Sequence, residues 1–159
     1  MRYFNHAKKK FLFVLSSMNI GGVEKSLLSL LTLMPKDKYD ITILLLERKD
    51  GFLKYLPDWV KVEEAGWYGK IKPIIMEPPQ HTVRMYLKKR QYTKIPSFLF
   101  VYFTSKYTND RYIFYRHVFK TVPKWGVTYD VAISYQGPTD IIDFFVANKV
   151  TAGRKISWV

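Results

Sequence analysis

The chain contains no cysteine, so neither a disulfide framework nor a thiolate metal site organises it. Its longest stretch without a charged residue is Phe11–Val23, thirteen residues. A membrane-crossing helix needs about 20 apolar residues, so no span is expected. The apolar run Phe11–Leu15 is also too short for a secretory leader and leads into a helix, not a small-residue cleavage site. No Gly-x-x-x-x-Gly-Lys-Ser/Thr occurs, which excludes a P-loop, and no Gly-x-Gly-x-x-Gly follows the first apolar run. The three histidines, His6, His81 and His117, lie far apart without metal-ligand spacing, and no Ser–His–acid set or carboxylate pair can be assembled. No metal and no resident cofactor are therefore expected. Acid is scarce in one region. From Pro78 to Tyr129 ten Lys or Arg (Arg84, Lys88, Lys89, Arg90, Lys94, Lys106, Arg111, Arg116, Lys120, Lys124) stand against one acid, Asp110.

What is present begins with residues 10–34. Phe11–Leu15 reads as a buried strand, a polar turn follows and ends in Gly21-Gly22, and a helix begins. Val23, Leu27, Leu30, Leu31 and Met34 form its apolar stripe and Pro35 its stop. A helix N-terminus has free N–H groups and a partial positive charge. Two glycines would let a ligand come close to that backbone; the plainer alternative is a tight strand–helix turn. Glu24, in the first turn, suits the helix dipole and is read as a helix-start residue, not a catalytic acid. Glu47 is read as a solvated turn residue.

The rest of the chain alternates strands and helices. Asp40–Leu46 is predicted as a second strand buried on both faces, Phe52–Leu56 as one helical turn, and Val60–Ala65 as a short edge strand. Residues 66–69 and 73–79 are predicted as loops, and His81–Gln91 as a helix with Val83 and Leu87 inward and Arg84, Lys88 and Lys89 outward, broken by Pro96. Phe98–Phe103 is a strand or a buried helix; a continuous apolar run favours core. Asp110–Val122 and Thr139–Asn148 are predicted helices, Val131–Ser134 and Lys155–Val159 strands. This alternation predicts an α/β class with an open, mainly parallel sheet and helices on both faces. In such sheets ligands sit outside the carboxyl ends of the strands, which places Ser17–Gly22, Glu47–Gly51 and Tyr135–Pro138 on one rim.

Three segments, in order, resemble the N-terminal domain of family-4 glycosyltransferases of the GT-B architecture, of the capsular or exopolysaccharide type. They are Phe11–Leu15 with Gly21-Gly22-Val23-Glu24-Lys25 and its Leu-rich helix, Tyr129-Asp130-Val131-Ala132-Ile133-Ser134-Tyr135, and Lys155-Ile156-Ser157-Trp158-Val159. The resemblance covers both ends of the chain and is absent from about 67–128, a basic, aromatic insertion. It implies a Rossmann-like domain over residues 1–159 on the acceptor side of an enzyme. That enzyme would transfer a sugar from a nucleotide-sugar donor to a lipid-linked or polysaccharide acceptor. It implies a donor-phosphate and acceptor loop at Asn19, Gly21 and Gly22, and an acceptor rim at Tyr135, Gln136 and Gly137. Relatives carry most donor contacts, including a Glu-x₇-Glu pair, in a second domain, and no such pair occurs here. Catalytic residues are therefore expected beyond Val159, and the 159 residues alone should be inactive. The parent is expected to be cytoplasmic, on the inner face of a membrane. A stand-alone partner subunit of a split glycosyltransferase is the alternative.

Eleven aromatics lie between Tyr86 and Phe119 among the basic residues. Cationic heads and aromatic bodies suit an anionic membrane surface, with Arg84, Lys88, Lys89, Arg90 and Lys94 as the surface residues. A solvated basic face without a partner is the plainer reading. Single-stranded nucleic acid suits the same chemistry and is less favoured. The nucleic-acid reading predicts tight, steeply salt-dependent binding of single-stranded oligonucleotides in a filter-binding titration. No retention at moderate salt removes it.

Overall fold

A computed structural model describes residues 7–49, 51–135 and 139–158. The chain divides into two compact units, residues 1–65 with 124–159, and Gly66–Pro123.

The first unit holds one sheet of five parallel strands: β1 (Lys9–Leu15), β2 (Tyr39–Leu45), β3 (Lys61–Glu64), β4 (Thr128–Ser134) and β5 (Thr151–Ser157), in the order β3-β2-β1-β4-β5. With helices α1 (Gly22–Leu33) and α6 (Thr139–Lys149) this is a Rossmann-like α/β fold. Successive strand residues point to opposite faces. On one face Phe13, Leu15, Ile41, Ile43, Leu45 and Ile133 pack with Leu27 and Leu31 of α1. On the other, Leu12, Val14, Leu44 and Ala132 are fully buried. Ser134, beside Val14 in register, bonds Asp143 of α6. The two helices therefore cover opposite faces. The near-continuous apolar character of β1 and β2 follows from burial on both sides. β3 lies at an edge, as its alternation predicts.

Several strands extend beyond their predicted bounds. β4 begins at Thr128 and β5 at Thr151, because pairing between them starts at Thr128↔Thr151, which an apolar pattern does not register. Gly153 allows this approach: a Cβ there would lie 3.2 Å from the Asp130 carbonyl oxygen. The Tyr129-Asp130 pair acquires a structural reason. Tyr129 is buried and its hydroxyl accepts a hydrogen bond from Trp125 Nε1 (3.3 Å). Asp130 Oδ2 accepts from the backbone N–H of Lys10 (2.7 Å), just before β1–β4 pairing begins at Phe11↔Val131. The stripe on α1 is also corrected. Leu27 and Leu31 are buried and Val23, Leu28 and Met34 partly so, whereas Leu30 faces solvent.

The second unit is helical: α2 (Tyr68–Met76), α3 (Pro79–Lys88), α4 (Lys94–Thr108) and α5 (Arg111–Val118), closed by a 3₁₀ turn, Phe119–Thr121. Its core centres on Phe98, packed among the rings of Tyr86, Tyr102 and Phe114, with Trp67 against Phe119 and Tyr68.

Four expectations fail here. Residues 68–76 form a helix with Pro73 inside it, not loops. Proline removes one interior hydrogen bond, and burial of Tyr68 and Ile71 outweighs that loss. In α3 Thr82 is buried and Val83, Met85 and Tyr86 are half-buried, while Leu87, expected inward, is exposed. Pro96 does not break α3; it sits in the first turn of α4, where its missing N–H has no intrahelical partner to lose. α3 ends earlier, with Arg90 in the left-handed region (φ 54°). The Gln91 and Arg90 N–H groups donate back to the Tyr86 and Leu87 carbonyls, the hydrogen-bond pattern of a Schellman motif. A non-glycine residue there costs roughly 1 kcal/mol. Finally, Phe98–Phe103 is helix, but only Phe98 is core; Phe100 and Phe103 face solvent.

α4 ends in the same way at Asn109 (φ 53°). Asp110 then caps α5 by accepting from the Tyr112 N–H (2.8 Å), which explains a helix–helix turn of only two residues.

Thr82 is 1 % exposed and its hydroxyl oxygen makes no hydrogen bond. A buried unpaired hydroxyl carries a desolvation cost of about 1–3 kcal/mol. Thr82→Val should therefore stabilise the chain by about 1 kcal/mol, read as a higher urea midpoint with an unchanged slope.

Candidate functional site at the carboxyl rim of the sheet

The strand order places a switch between β1 and β4. β1 leads into α1 on one face, and β4 leads into α6 on the other. Chains leaving in opposite directions open a crevice outside the strand ends, where ligands of such sheets bind.

Backbone hydrogen bonds build the β1 side. The Leu46 and Glu47 N–H groups donate to the Leu15 and Ser16 carbonyls (2.9 Å each), and the Phe52 N–H donates to Met18 O (2.7 Å). Met18 is fully buried, which leaves Asn19 and Ile20 at the surface. A Cβ on Gly51 would lie 2.3 Å from Met18 O and 2.7 Å from Asn19 Cα. Those are rigid backbone atoms, so only glycine fits against the loop that carries Asn19. In the sequence Gly51 was legible only as the end of the rim segment Glu47–Gly51.

Gly21 and Gly22 differ in what they permit. Gly21 has extended backbone (φ −163°) that any residue adopts, and a Cβ on it would meet the carboxylate of Glu24. Glu24 thus folds back over the start of α1, as the helix dipole favours. Gly22 is exposed, and a Cβ on it would meet nothing within 4 Å. Neither glycine is needed for a left-handed turn. The N-cap of α1 is Gly21, which has no side chain to cap the helix. The rim here is bare backbone at a helix N-terminus, with one carboxylate beside it.

Tyr135 stands on the β4 side. Its N–H donates to Val14 O (2.9 Å), its ring meets Phe13 edge-on (5.7 Å), and its hydroxyl lies 3.3 Å from Ser26 Oγ of α1. It is buried, and its outer face is covered by Trp158, stacked at 5.9 Å and 21°. Trp158 is held by its own N–H to Ser134 O (2.9 Å) and is 61 % exposed. The ring that this rim presents to solvent is therefore Trp158, with Tyr135 as its backing. Gln136 and Gly137 lie outside the described residues. Next to this pair the Ser134 and Ser157 hydroxyls both donate to Asp143 Oδ1, at the edge of a shallow groove of about 430 Å³. No sequence pattern announces that cluster, because three residues from three elements meet only after β4 and β5 pair.

The basic candidates lie elsewhere. Arg84 and Lys88 are on α3, Lys89 and Arg90 in its terminal turn, and Lys94 in the first turn of α4; all five are exposed. They belong to the helical unit. His81 pairs with Glu77 (2.6 Å). Burial, and secondarily the Lys120 cation, holds the His117 imidazole below its ordinary range. His6 lies outside the described residues. Among the described residues no three His, Asp or Glu gather as a metal site, and no helix is long and apolar enough to cross a membrane.

Compared with protein-family models, curated proteins and solved structures, the chain matches none.

Gly51→Ala drives a methyl group into the Met18–Asn19 backbone. It should destabilise the first unit by about 1–3 kcal/mol and shift the amide resonances of residues 18–22. A variant with wild-type urea midpoint and unshifted resonances would show that the loop does not depend on Gly51.

Proposed function

We propose that the parallel-sheet unit is the acceptor-side half of a GT-B-type glycosyltransferase, one that moves a sugar from a nucleotide donor to a lipid-linked or polysaccharide acceptor. The observation that carries this reading is the rim at the β1–β4 switch point. After β1, α1 starts at a glycine N-cap followed by an open Gly22. A stacked Tyr135–Trp158 pair ends the neighbouring strands. The ordered resemblance of the same three segments supplies the chemical class.

On this reading Gly22 and the exposed Asn19 border the donor phosphates, which the first-turn N–H groups of α1 would receive. Glu24 sets the electrostatic balance there. Its carboxylate occupies the helix start and must swing away, or be neutralised, before an anion can take its place. The flat, exposed Trp158 ring suits the apolar face of a sugar, and its backing by Tyr135 fixes its angle. On the resemblance, proton transfer and most donor contacts would come from a second domain.

Isolated, such a half-site binds nucleotide sugar weakly, so the test is an amide NMR titration of the 159-residue chain at millimolar UDP-sugar and GDP-sugar. Shifts are expected at residues 19–24 and at Trp158. Gly22→Ala should abolish them without changing the thermal midpoint, since its methyl has open space. Glu24→Gln should strengthen them several-fold by removing the competing charge, on the scale of about 1 kcal/mol for a charge at a helix end. Absence of rim shifts, or shifts that Gly22→Ala leaves intact, would refute the assignment.

A further inference from the structure

The helical unit presents an unusual surface, independent of the rim and of the reading given to it. Helix residues advance about 100° each. Phe100, Phe103 and Tyr107 therefore fall within about 60° of one another, on the side of α4 opposite the buried Phe98. They are 73 %, 59 % and 94 % exposed. Beside them Leu87 of α3 is 48 % exposed, and Val83, Leu87, Leu99 and Phe103 line an open apolar groove of about 380 Å³ between α3 and α4. Arg84 borders the same groove. Lys88 follows it one helical turn on, and Lys89 and Arg90 follow directly.

Water is a poor solvent for three adjacent aromatic rings and an exposed leucine, and such a patch on a monomer marks an interaction surface. The charge around it selects the partner. Between Gly66 and Pro123 eleven Lys or Arg stand against two acids. Both acids are engaged within the unit, Glu77 with His81 and Asp110 as the cap of α5. The field over the patch is thus positive, and a basic protein partner is disfavoured. Rings and aliphatic side chains rimmed by cations are what an anionic lipid surface accepts: cations meet headgroups while the apolar stripe enters the acyl boundary. A single-stranded nucleic acid would use rings as stacking platforms, but gives no use for Leu87, Leu99 and Val83.

We propose that the α3–α4 face is a peripheral membrane-docking surface for anionic lipid. Phe100, Phe103 and Leu87 insert, and Arg84, Lys88, Lys89 and Arg90 bind headgroups. Arg90 sits at a left-handed helix end where glycine is unstrained. Arg90→Gly therefore removes a charge from this face while relaxing the backbone, so a loss of binding by this variant cannot be assigned to unfolding.

The test is co-sedimentation of the intact 159-residue chain with vesicles of phosphatidylcholine alone and of phosphatidylcholine with phosphatidylserine, at two salt concentrations. Binding is expected only to the anionic vesicles, weakening with salt. Each charge removed should lower affinity about fivefold. Arg90→Gly should do so with an equal or higher melting temperature, and Arg84→Gln/Lys88→Gln/Lys89→Gln should lower affinity about a hundredfold. Phe100→Ser/Phe103→Ser alters only exposed rings and should abolish binding while the fold survives. Equal binding to neutral vesicles would overturn the electrostatic part, and full binding by the double serine variant would overturn insertion. Retention of single-stranded oligonucleotide with no vesicle binding would overturn the proposal and assign the face to nucleic acid.

Discussion

Everything in the first unit depends on β1 being paired on both sides and buried on both faces. A strand in that position can leave no backbone N–H or C=O unpaired without a cost comparable to a lost hydrogen bond. Its register with β2 runs from Lys9↔Tyr39 to Leu15↔Leu45, and with β4 from Phe11↔Val131 to Val14↔Ser134. Those pairings decide where the strands end together. The hydrogen bonds that continue past the last pairs, from Leu46, Glu47 and Phe52 on one side and Tyr135 on the other, then build the rim. The rim is an extension of the sheet ladder, and Gly51 sits where backbone approaches backbone.

The same constraint explains which residues became available at the surface. Met18 is drawn into the core, so Asn19 and Ile20 are pushed outward. Tyr135 is drawn under by Phe13, so Trp158 becomes the exposed ring. Glu24 is freed from packing and returns over the helix start. The described rim therefore carries the start of α1, the Glu24 carboxylate and the exposed Trp158 ring. Its electrostatic balance is set by Glu24 more than by any lysine nearby.

The helical unit follows different physics. Its core includes ring contacts around Phe98 and around Trp67, and its turns are closed by backbone caps at Arg90 and Asn109 and by the Asp110 side chain. Aromatic side chains fill volume with few rotatable bonds, so one ring buried among three suffices to orient α3, α4 and α5. Once the inward positions of α4 were filled by Phe98, Tyr102 and Ser105, Phe100 and Phe103 had nowhere to go but outward, where they join Tyr107 and Leu87 among the basic residues.

The sequence by itself determined the α/β class, the parallel alternation, the edge position of β3, a helix starting near Asp110 and the basic character of the middle segment. Each of these follows from local composition and period, which act over a few neighbouring residues. It misjudged α2, because Pro73 signals a break that burial of Tyr68 and Ile71 overrides, and Phe98–Phe103, because an unbroken apolar run carries no period to divide core from surface. Arg84, Lys88, Lys89, Arg90 and Lys94 could be read as exposed from charge alone, whereas the apolar stripe beside them could not. Gly51 against Met18, Trp158 on Tyr135, and Ser134 and Ser157 on Asp143 were decided only by tertiary structure. Each joins residues from elements that meet through parallel pairing, and no local pattern records which strands will be neighbours.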